Sequence, residues 1–564
     1  MNNLFKYTKY PNPLFRRENF IILDGMWDFE ITNSEEIPFY TKNIIVPFSY
    51  ETKASGINDQ TQYDTIWYRR KVKLNKNKKY NLCFLGVDYN CYVFVNKRIV
   101  GVHEGAYTAF KIDITDYIVE GNNIIDIKVN DSYRKDQLRG KQRTRNENYD
   151  CWYEQTTGIY KTVYIEEIGS NPIDEIMITG DKNGKVNYDI RINRFTPLKL
   201  EIIDNEKVIH THFVNEYGEL KGSFELNNFK LWDIDNPYLY EVKVTSNGEV
   251  DDVVGTYFGF RTIETKNKKI YLNDKELYQR LILNQGYYKD SGLSIPSYEY
   301  LLDEIKLIKD MGFNGFRMHQ KIEDFHCYYF ADVLGLVVWA EVPSMYEFTE
   351  NGKYQFNRDL QIIARQLYNC PSIITYVLFN ESWGVPNIKE NKNQQEFIEE
   401  QYHKIKDFDS SRLVIANDGW HQLSCTDILS LHEYQQDSNK FYEDYKDKEY
   451  LLNELIVNTF GPCFANGHSY NNQPIILSEF GGVSFIKDGW GYGDKAKSVE
   501  EYHERIVKLF KVIENLPYVE GYCYTQLSDV RQETNGLVDE ERNLRLSVDK
   551  IKSAIFKKLS NDDT

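Results

Sequence analysis

The sequence predicts a multidomain protein in which two β-sandwiches precede a C-terminal (β/α)8 barrel. Three observations lead to this prediction. The chain has 564 residues, which at about 100–200 residues per domain allows roughly three to five domains. Its first half consists of short alternating runs separated by frequent turns. In its second half, apolar strand-like runs alternate with amphipathic helical stretches.

Residues 1–168 and 169–262 are predicted to form the two sandwiches. In the first, short runs of alternating apolar residues occur at 80–85 and 91–95, with turn residues between them. Many short strands with frequent turns are typical of an all-β sandwich. The second repeats this pattern over a length that suits an immunoglobulin-like sandwich.

Residues 263–564 are predicted to form the barrel. Helical stretches such as 297–311, with Ser297 at its start, separate several of the strand candidates. The eight candidates are 278–283, 315–318, 336–340, 373–380, 413–416, 427–431, 475–479 and 521–525. Eight buried strands with intervening helices over about 300 residues predict a (β/α)8 barrel.

Composition and charge exclude several classes of function. The net charge is −17, which does not suit binding to nucleic acid or to an anionic membrane surface. The N-terminus has no apolar signal region and no run of 18 apolar residues occurs, so we expect a cytoplasmic protein without a membrane span. The eight cysteines form no CxxC pair, which favours reduced core thiols over a zinc site.

Glutamates end two of the predicted barrel strands. Strand four leads into Asn380 and Glu381, and strand seven ends on Glu479. Barrel enzymes place their catalytic groups at the C-terminal ends of strands, and a carboxylate after an apolar run is costly unless it has a use. Either glutamate alone could be a helix cap or an ion-pair partner, but two of them predict a catalytic pair.

Two carboxylates on opposite sides of a sugar are what glycosidic cleavage requires. One protonates the leaving oxygen, and the other attacks the anomeric carbon or activates a water molecule. At a separation of about 5–5.5 Å the second acts as a covalent nucleophile and the configuration is retained. The sequence therefore predicts a glycosidase that uses Glu381 and Glu479.

Short motifs in a fixed order extend this argument over nearly the whole chain. They are Gly25-Met-Trp-Asp-Phe29, Trp67-Tyr-Arg-Arg70, Thr157-Gly-Ile-Tyr160, Gly259-Phe-Arg261, Gly312-Phe-Asn-Gly-Phe-Arg317, Leu334-Gly-Leu-Val-Val-Trp-Ala-Glu341, Asn380-Glu381 and Glu479-Phe-Gly-Gly482. With these motifs the chain resembles glycoside hydrolase family 2, which contains β-galactosidases, β-glucuronidases and β-mannosidases. The resemblance implies that the first sandwich is a jelly-roll like the family's sugar-binding domain.

The resemblance also implies roles for individual residues. Glu381 would be the acid/base and Glu479 the nucleophile. Asn380 would bind the sugar 2-hydroxyl, Arg317 would keep Glu479 ionised, and Tyr434 would donate a hydrogen bond to the nucleophile.

Further residues at the strand ends are predicted to bind substrate or to support the site. They are His319, Glu341, Trp383, His432, Tyr524, Gln526 and Asp529. For Trp383 and Tyr524 the alternative is a place in the core, for His319 a structural histidine, and for Glu341 an ion pair with Arg317. The basic segment 134–145 is interpreted as a solvated loop, with the alternative that it reaches the barrel mouth.

The function expected from this resemblance is that of an exo-acting retaining β-glycosidase. We expect a terminal β-galactoside as the first candidate substrate. A β-glucuronide is disfavoured, because the segment Glu533-Thr-Asn-Gly536 lacks the Asn-x-Lys pair that holds a glucuronate carboxylate in this family. The alternatives are a β-mannoside, β-glucuronide or arabinoside, or a non-catalytic carbohydrate-binding protein. No metal or other cofactor is predicted, since the metal ligands of some β-galactosidases are not evident. The expected partner is a carbohydrate, and a homo-oligomer is left open.

Overall fold

The computed structural model describes residues 6–485 and 489–556. This part of the chain contains 32 β-strands and eight α-helices. Their sheets form two sandwiches followed by an eight-stranded parallel barrel, which confirms the predicted fold class. None of the described helices has the length and apolar character needed to cross a membrane.

The first sandwich packs a six-stranded sheet against a four-stranded sheet. Its strands are β1 Phe20–Ile22, β2 Gly25–Ile31, β3 Lys42–Val46, β4 Thr65–Leu74, β5 Lys79–Phe84, β6 Val87–Asp88, β7 Asn90–Val95, β8 Arg98–Glu104, β9 Phe110–Asp113, β10 Gly121–Asn130, β11 Gly158–Ile159 and β12 Val163–Ile168. The sheet orders are β3-β2-β4-β10-β7-β8 and β1-β12-β5-β9. In β7, alternation buries Cys91, Val93 and Val95 between the sheets, as the two-residue period of a strand requires.

The second sandwich is smaller and leads into the barrel. Its strands are β13 Ile173–Gly180, β14 Lys185–Ile192, β15 Leu198–Asp204, β16 Lys207–Val214, β17 Lys221–Glu225, β18 Tyr240–Ser246 and β19 Asp252–Phe258, and a small sheet of β20 Ile263–Lys266, β21 Lys269–Leu272 and β22 Lys275–Glu276 follows. The two sandwich sheets have the orders β13-β14-β17 and β16-β15-β18-β19. The buried Arg261 donates hydrogen bonds to the carbonyls of Pro371 (3.0 Å) and Ile373 (2.9 Å), which fixes this sandwich to the barrel.

The barrel strands lie in the order β27-β26-β25-β24-β23-β32-β29-β28, and all their pairings are parallel. The elements are β23 Gln279–Asn284, α1 Tyr298–Asp310, β24 Gly315–Met318, α2 Phe325–Leu334, β25 Val337–Glu341, α3 Glu350–Gln366, β26 Ile373–Val377, α4 Lys392–Phe408, β27 Leu413–Ile415, β28 Leu429–Glu433, α5 Ser438–Tyr445, α6 Lys448–Asn453, β29 Ile475–Gly481, β30 Val483–Phe485, β31 Tyr492–Ala496, α7 Val499–Glu514, β32 Val519–Thr525 and α8 Val548–Phe556. A single bridge between Gly419 and Leu431 links the two ends of this strand order.

All eight predicted barrel strands are confirmed, with shifts of a few residues at their ends. The strands read as continuous apolar runs because both of their faces are covered; every residue of β24, β25 and β26 is buried. Ser297 caps α1, since its hydroxyl accepts a hydrogen bond from the Tyr300 amide at 3.1 Å, as predicted. β26 ends at Val377, earlier than expected.

A long loop of the first sandwich lies over the mouth of the barrel. This β10–β11 loop, residues 131–157, carries Gly140, whose amide donates to the Ser344 carbonyl at 3.1 Å. Gly140 has φ 57, and a Cβ atom there would lie 2.1 Å from the Gln320 carbonyl oxygen, so only glycine fits this approach. On the opposite side, Gln532 donates to two carbonyls of the loop at 2.9 and 3.0 Å. The interpretation of segment 134–145 as a solvated loop is therefore wrong, and its alternative is confirmed.

Candidate active site

The two predicted catalytic glutamates meet at the C-terminal end of the barrel. Glu381 follows β26 and Glu479 lies within β29. A carboxylate oxygen of each, together with a ring nitrogen of His432, all lie within 4.8 Å of one another. The Glu381 side chain is 20% exposed and that of Glu479 is 7% exposed. The distance between the two carboxylate oxygens, at most 4.8 Å, is close to the separation of about 5–5.5 Å that is typical of retaining glycosidases.

Arg317 ties together the groups beneath these glutamates. Its guanidinium is fully buried and reaches the carboxylates of Glu341 (2.7 Å), Glu479 (3.0 Å) and Asp418 (2.5 Å). It also donates to Oδ1 of Asn380 at 2.7 Å. Because a buried charge needs partners, these bonds fix Arg317, and through it they orient Glu479 and Asn380.

His432 forms a second cationic link between the same groups. Its Nδ1 lies 2.8 Å from Glu381 Oε1, and its Nε2 lies 2.9 Å from Asp418 and 3.5 Å from Glu479. Burial lowers the pKa of His432, but Glu479 and Asp418 outweigh burial and raise it to about 10. The ring is then charged at neutral pH and donates from both nitrogens. Glu381, His432 and Glu479 are also spaced as metal ligands could be, and a metal ion at this position would have to displace a ring proton of His432.

The surroundings of Glu479 stabilise its ionised form. Burial raises its pKa, but the charges of His432 and Arg317 outweigh burial and hold the pKa below the usual glutamate value. The Tyr434 hydroxyl donates to its second oxygen, Oε2, at 2.5 Å. The Tyr492 ring stacks on Tyr434 with centroids 3.5 Å apart. Both oxygens of the carboxylate are therefore held in place.

Glu341 and His319 form a structural layer beside Arg317. Glu341 accepts bonds from Arg317 (2.7 Å) and Gln320 (2.5 Å), and its Oε2 lies 2.9 Å from His319 Nδ1. Burial raises the pKa of Glu341, but Arg317 and His319 outweigh burial and lower it to about 2. Burial lowers the pKa of His319 despite this contact, so its ring is neutral at pH 7. Both alternatives, an ion pair for Glu341 and a structural role for His319, agree with these contacts.

Trp383 belongs to an aromatic wall at the rim. It follows Glu381 by two residues and is half-buried. Its ring centroid lies 5.5 Å from that of Trp152 and 5.8 Å from that of Tyr346. Trp152 comes from the β10–β11 loop, so the first sandwich supplies part of this wall.

Tyr524 does not join this cluster. Its ring is fully buried and packs 5.4 Å from Phe480 and 5.6 Å from Phe510, between the barrel and α7. Side chains alternate along a strand, so the next residue, Thr525, faces inward instead and lies 3.1 Å from the Tyr434 hydroxyl. The predicted role of Tyr524 as a sugar platform is therefore corrected to a core position.

Gln526 and Asp529 bond to residues of the loops around the barrel mouth. Gln526 accepts from Gln285 at 2.8 Å and donates to Asn535 at 2.7 Å. Asp529 accepts from Arg545 and from a backbone amide, so it stabilises the turn after β32. The two side chains support loops of the mouth and do not line its centre.

Sequence reasoning missed several residues of the site. Asp418 follows the apolar run of β27, so the strand-end rule that singled out Glu381 could have found it. The others are Trp152, Tyr492, Glu533 and Lys141. They lie on loops or on a short strand beyond the barrel, and of these four only Lys141 lies in a segment, 134–145, that the sequence marked as one that could reach the barrel mouth.

Comparison with known proteins identifies the family. Models of glycosyl hydrolases family 2 match the chain over residues 18–168 (sugar binding domain), 175–261 and 263–557 (TIM barrel domain). The third match alone covers more than half of the chain. The chain belongs to glycosyl hydrolase family 2.

Curated relatives and solved structures are similar to the chain at low identity. A putative β-glucuronidase of Formosa agariphila is 29% identical over 68% of this chain and 47% of the relative. A β-galactosidase of Thermoanaerobacter pseudethanolicus is 26% identical over 68% and 52%. The chain thus spans about half the length of these two relatives. A β-glucuronidase of Streptococcus agalactiae is 22% identical over 89% of both chains. The solved β-glucuronidase of an uncultured Clostridium shares the fold, with TM-score 0.79, 20% identity and coverage of 97% and 99%.

Proposed function

We propose that this family 2 member is a retaining exo-β-glycosidase with Glu381 as acid/base and Glu479 as nucleophile. The observation that carries the proposal is the pair of carboxylates, whose oxygens lie within 4.8 Å of each other although they come from two barrel strands that are not neighbours. The reaction needs an ionised nucleophile and an acid/base that can reach the leaving oxygen, and the surroundings of the two glutamates differ accordingly. Glu479 is buried among cations and ionised, whereas Glu381 is more exposed and faces the rim.

In the first step, the ionised Glu479 attacks the anomeric carbon while Glu381 protonates the leaving oxygen. The resulting ester has no charge, so the bonds from Arg317 and Tyr434 lose their anionic partner. In the second step, Glu381 takes a proton from water, which displaces Glu479 with overall retention. His432, which donates to Glu381 at 2.8 Å, stabilises the carboxylate that acts in this second step.

Asn380 has a free donor for the sugar. Its Oδ1 accepts from Arg317, whereas its buried Nδ2 has no hydrogen-bond partner among the described residues. A buried polar atom without a partner costs about 1–3 kcal/mol, and a hydroxyl group of the substrate would remove this cost. These contacts support the proposed bond from Asn380 to the 2-hydroxyl.

For the sugar itself we propose a β-glucuronide first and a β-galactoside second. This order reverses the expectation from the sequence, which rested on the absent Asn-x-Lys pair. The relative that matches 89% of both chains carries the name β-glucuronidase, and another relative carries the name putative β-glucuronidase. The β-galactosidase at 26% identity supports the second candidate.

A panel of 4-nitrophenyl β-glycosides tests the reaction. Glu479→Ala should abolish release from every substrate. Glu381→Ala should slow release, and added azide should restore it while giving the β-glycosyl azide, because a small anion can replace the missing base. The matched control is Glu433→Gln, since Glu433 also ends a barrel strand but accepts from the Gln435 amide at 2.6 Å. An α-configured azide product, or sugar binding without any turnover, would refute the proposal.

A further inference from the structure

A lysine of the first sandwich reaches the mouth of the barrel near the acid/base. Lys141 lies on the β10–β11 loop and is only 6% exposed. Its Nζ atom lies 5.1 Å from the ring centroid of Trp383, which follows Glu381 by two residues. Its carbonyl accepts the Tyr153 amide at 2.9 Å. The side chain is therefore held at the mouth, beside the acid/base.

The ammonium of Lys141 has charge to offer a ligand. Among the described residues no carboxylate forms an ion pair with it. Burial lowers its pKa, but Cys151 and the carboxylates of Glu533, Glu479 and Glu381 outweigh burial and raise the pKa. Lys141 thus stays protonated without a carboxylate as ion-pair partner, and its side chain bonds to the thiol of Cys151. By contrast, the three hydrogen-bond donors of the Lys321 ammonium are all occupied, by two backbone carbonyls and the Glu323 carboxylate at 2.6–2.7 Å.

The backbone around Lys141 holds its position firmly. On one side, Gly140 touches the Gln320 carbonyl and bonds to Ser344. On the other, Tyr153 donates to Glu533 at 2.5 Å, so this loop strand is tied to the loop after β32. A cation fixed in this way loses little conformational entropy when it binds an anion.

We propose that Lys141 is a specificity-determining residue, whose ammonium binds the carboxylate of a terminal β-linked uronic acid. This inference rests on the proposed function. It places a cation from the first sandwich at the barrel mouth, where the loop after β32, residues 526–547, has no lysine. Glu533 lies close by, but it accepts from Tyr153 and from Asn535 at 3.2 Å, and these donors disperse its charge away from the incoming anion.

The test compares a charged substrate with its uncharged ester. We expect the wild type to cleave 4-nitrophenyl β-glucuronide and to cleave its methyl ester far more slowly. Lys141→Met should lower kcat/KM for the glucuronide roughly 10- to 100-fold, the loss expected for a hydrogen bond to a charged group. It should lower kcat/KM for the ester much less. Lys141→Arg, which keeps the cation, should recover part of the glucuronide activity. The matched control is Lys135→Met, an exposed lysine of the same loop.

The possible outcomes separate a role of Lys141 in substrate specificity from a purely structural role. Equal losses for the glucuronide and its ester would show that Lys141 acts structurally and would overturn the inference. A wild type that prefers the ester or neutral glycosides would also overturn it, even if Lys141→Met fails to fold. In both cases, loss of all activity in Glu479→Ala would leave the proposed glycosidase intact. Activity that survives in Glu479→Ala would instead reject the proposed function itself.

Discussion

Replacement of His432 by asparagine should move the acid limb of the activity profile to higher pH. His432 carries a positive charge 3.5 Å from Glu479, and asparagine keeps a hydrogen-bonding group but removes this charge. Without it, the ionised form of Glu479 loses stabilisation and its pKa rises. Because only ionised Glu479 can attack, kcat/KM then falls at a higher pH than in the wild type.

The size of this shift follows from Coulomb's law. At 3.5 Å and an effective dielectric constant of about 20, two unit charges interact by about 5 kcal/mol. At about 1.4 kcal/mol per pKa unit, the upper limit is about 3 units. Arg317 remains 3.0 Å from Glu479 and retains much of the stabilisation. We therefore expect a rise of about 1–2 pH units, within the range known for single opposite charges.

The assay is kcat/KM against pH between 3 and 8, on the best nitrophenyl glycoside of the panel. His319→Asn is the matched control. His319 is also buried, but burial lowers the pKa of its ring, and it ranks behind His432 and Arg317 among the charges that lower the pKa of Glu479, so its loss should move the acid limb less far. If the acid limb stays where it is in His432→Asn, the imidazolium does not hold Glu479 ionised, and the charge assignment of the site is wrong.

Three further predictions follow from the same contacts. Gly140→Ala should lower the free energy of unfolding by about 1–3 kcal/mol and also reduce kcat/KM, since its Cβ would clash with the Gln320 carbonyl. The control is Gly218→Ala, where a Cβ meets nothing within 4 Å. Thermal unfolding and kinetic assays should show no change of stability or of kcat/KM in this control. Tyr434→Phe should move the acid limb of kcat/KM to higher pH by less than His432→Asn does, because it removes a neutral hydrogen-bond donor to Glu479 and not a charge. A larger shift in Tyr434→Phe would contradict this prediction. The raised pKa of His432, about 10, contributes stability that is fully present below about pH 6.5 and is lost as pH rises toward 10, by at most about 1.4 kcal/mol per pH unit. Chemical unfolding at several pH values should show this loss in the wild type and less of it in His432→Asn; equal slopes would count against it.

The pattern of apolar residues alone determined the architecture of the protein. The period of two in β7 and the continuous apolar runs of β24 to β26 identified sandwich and barrel strands. A strand that is buried on one face alternates apolar and polar residues, and a strand that is buried on both faces is apolar throughout. The same runs showed where strands end, and with them Asn380, Glu381 and Glu479. The domain limits at 168 and 262 stay predictions.

Only the tertiary structure decided which side chains meet. Tyr524 lies near the end of a barrel strand as Glu479 does, yet its side chain points away from the barrel interior and packs against α7, because the direction of a side chain near a strand end depends on a register that the sequence does not show. Asp418, His432 and Arg317 come from separate strand ends, and their charges act together only when the barrel closes. Lys141 lies 240 residues from Glu381 in the sequence. No local pattern joins these two residues, since Lys141 reaches Trp383 beside Glu381 only when the first sandwich packs onto the barrel.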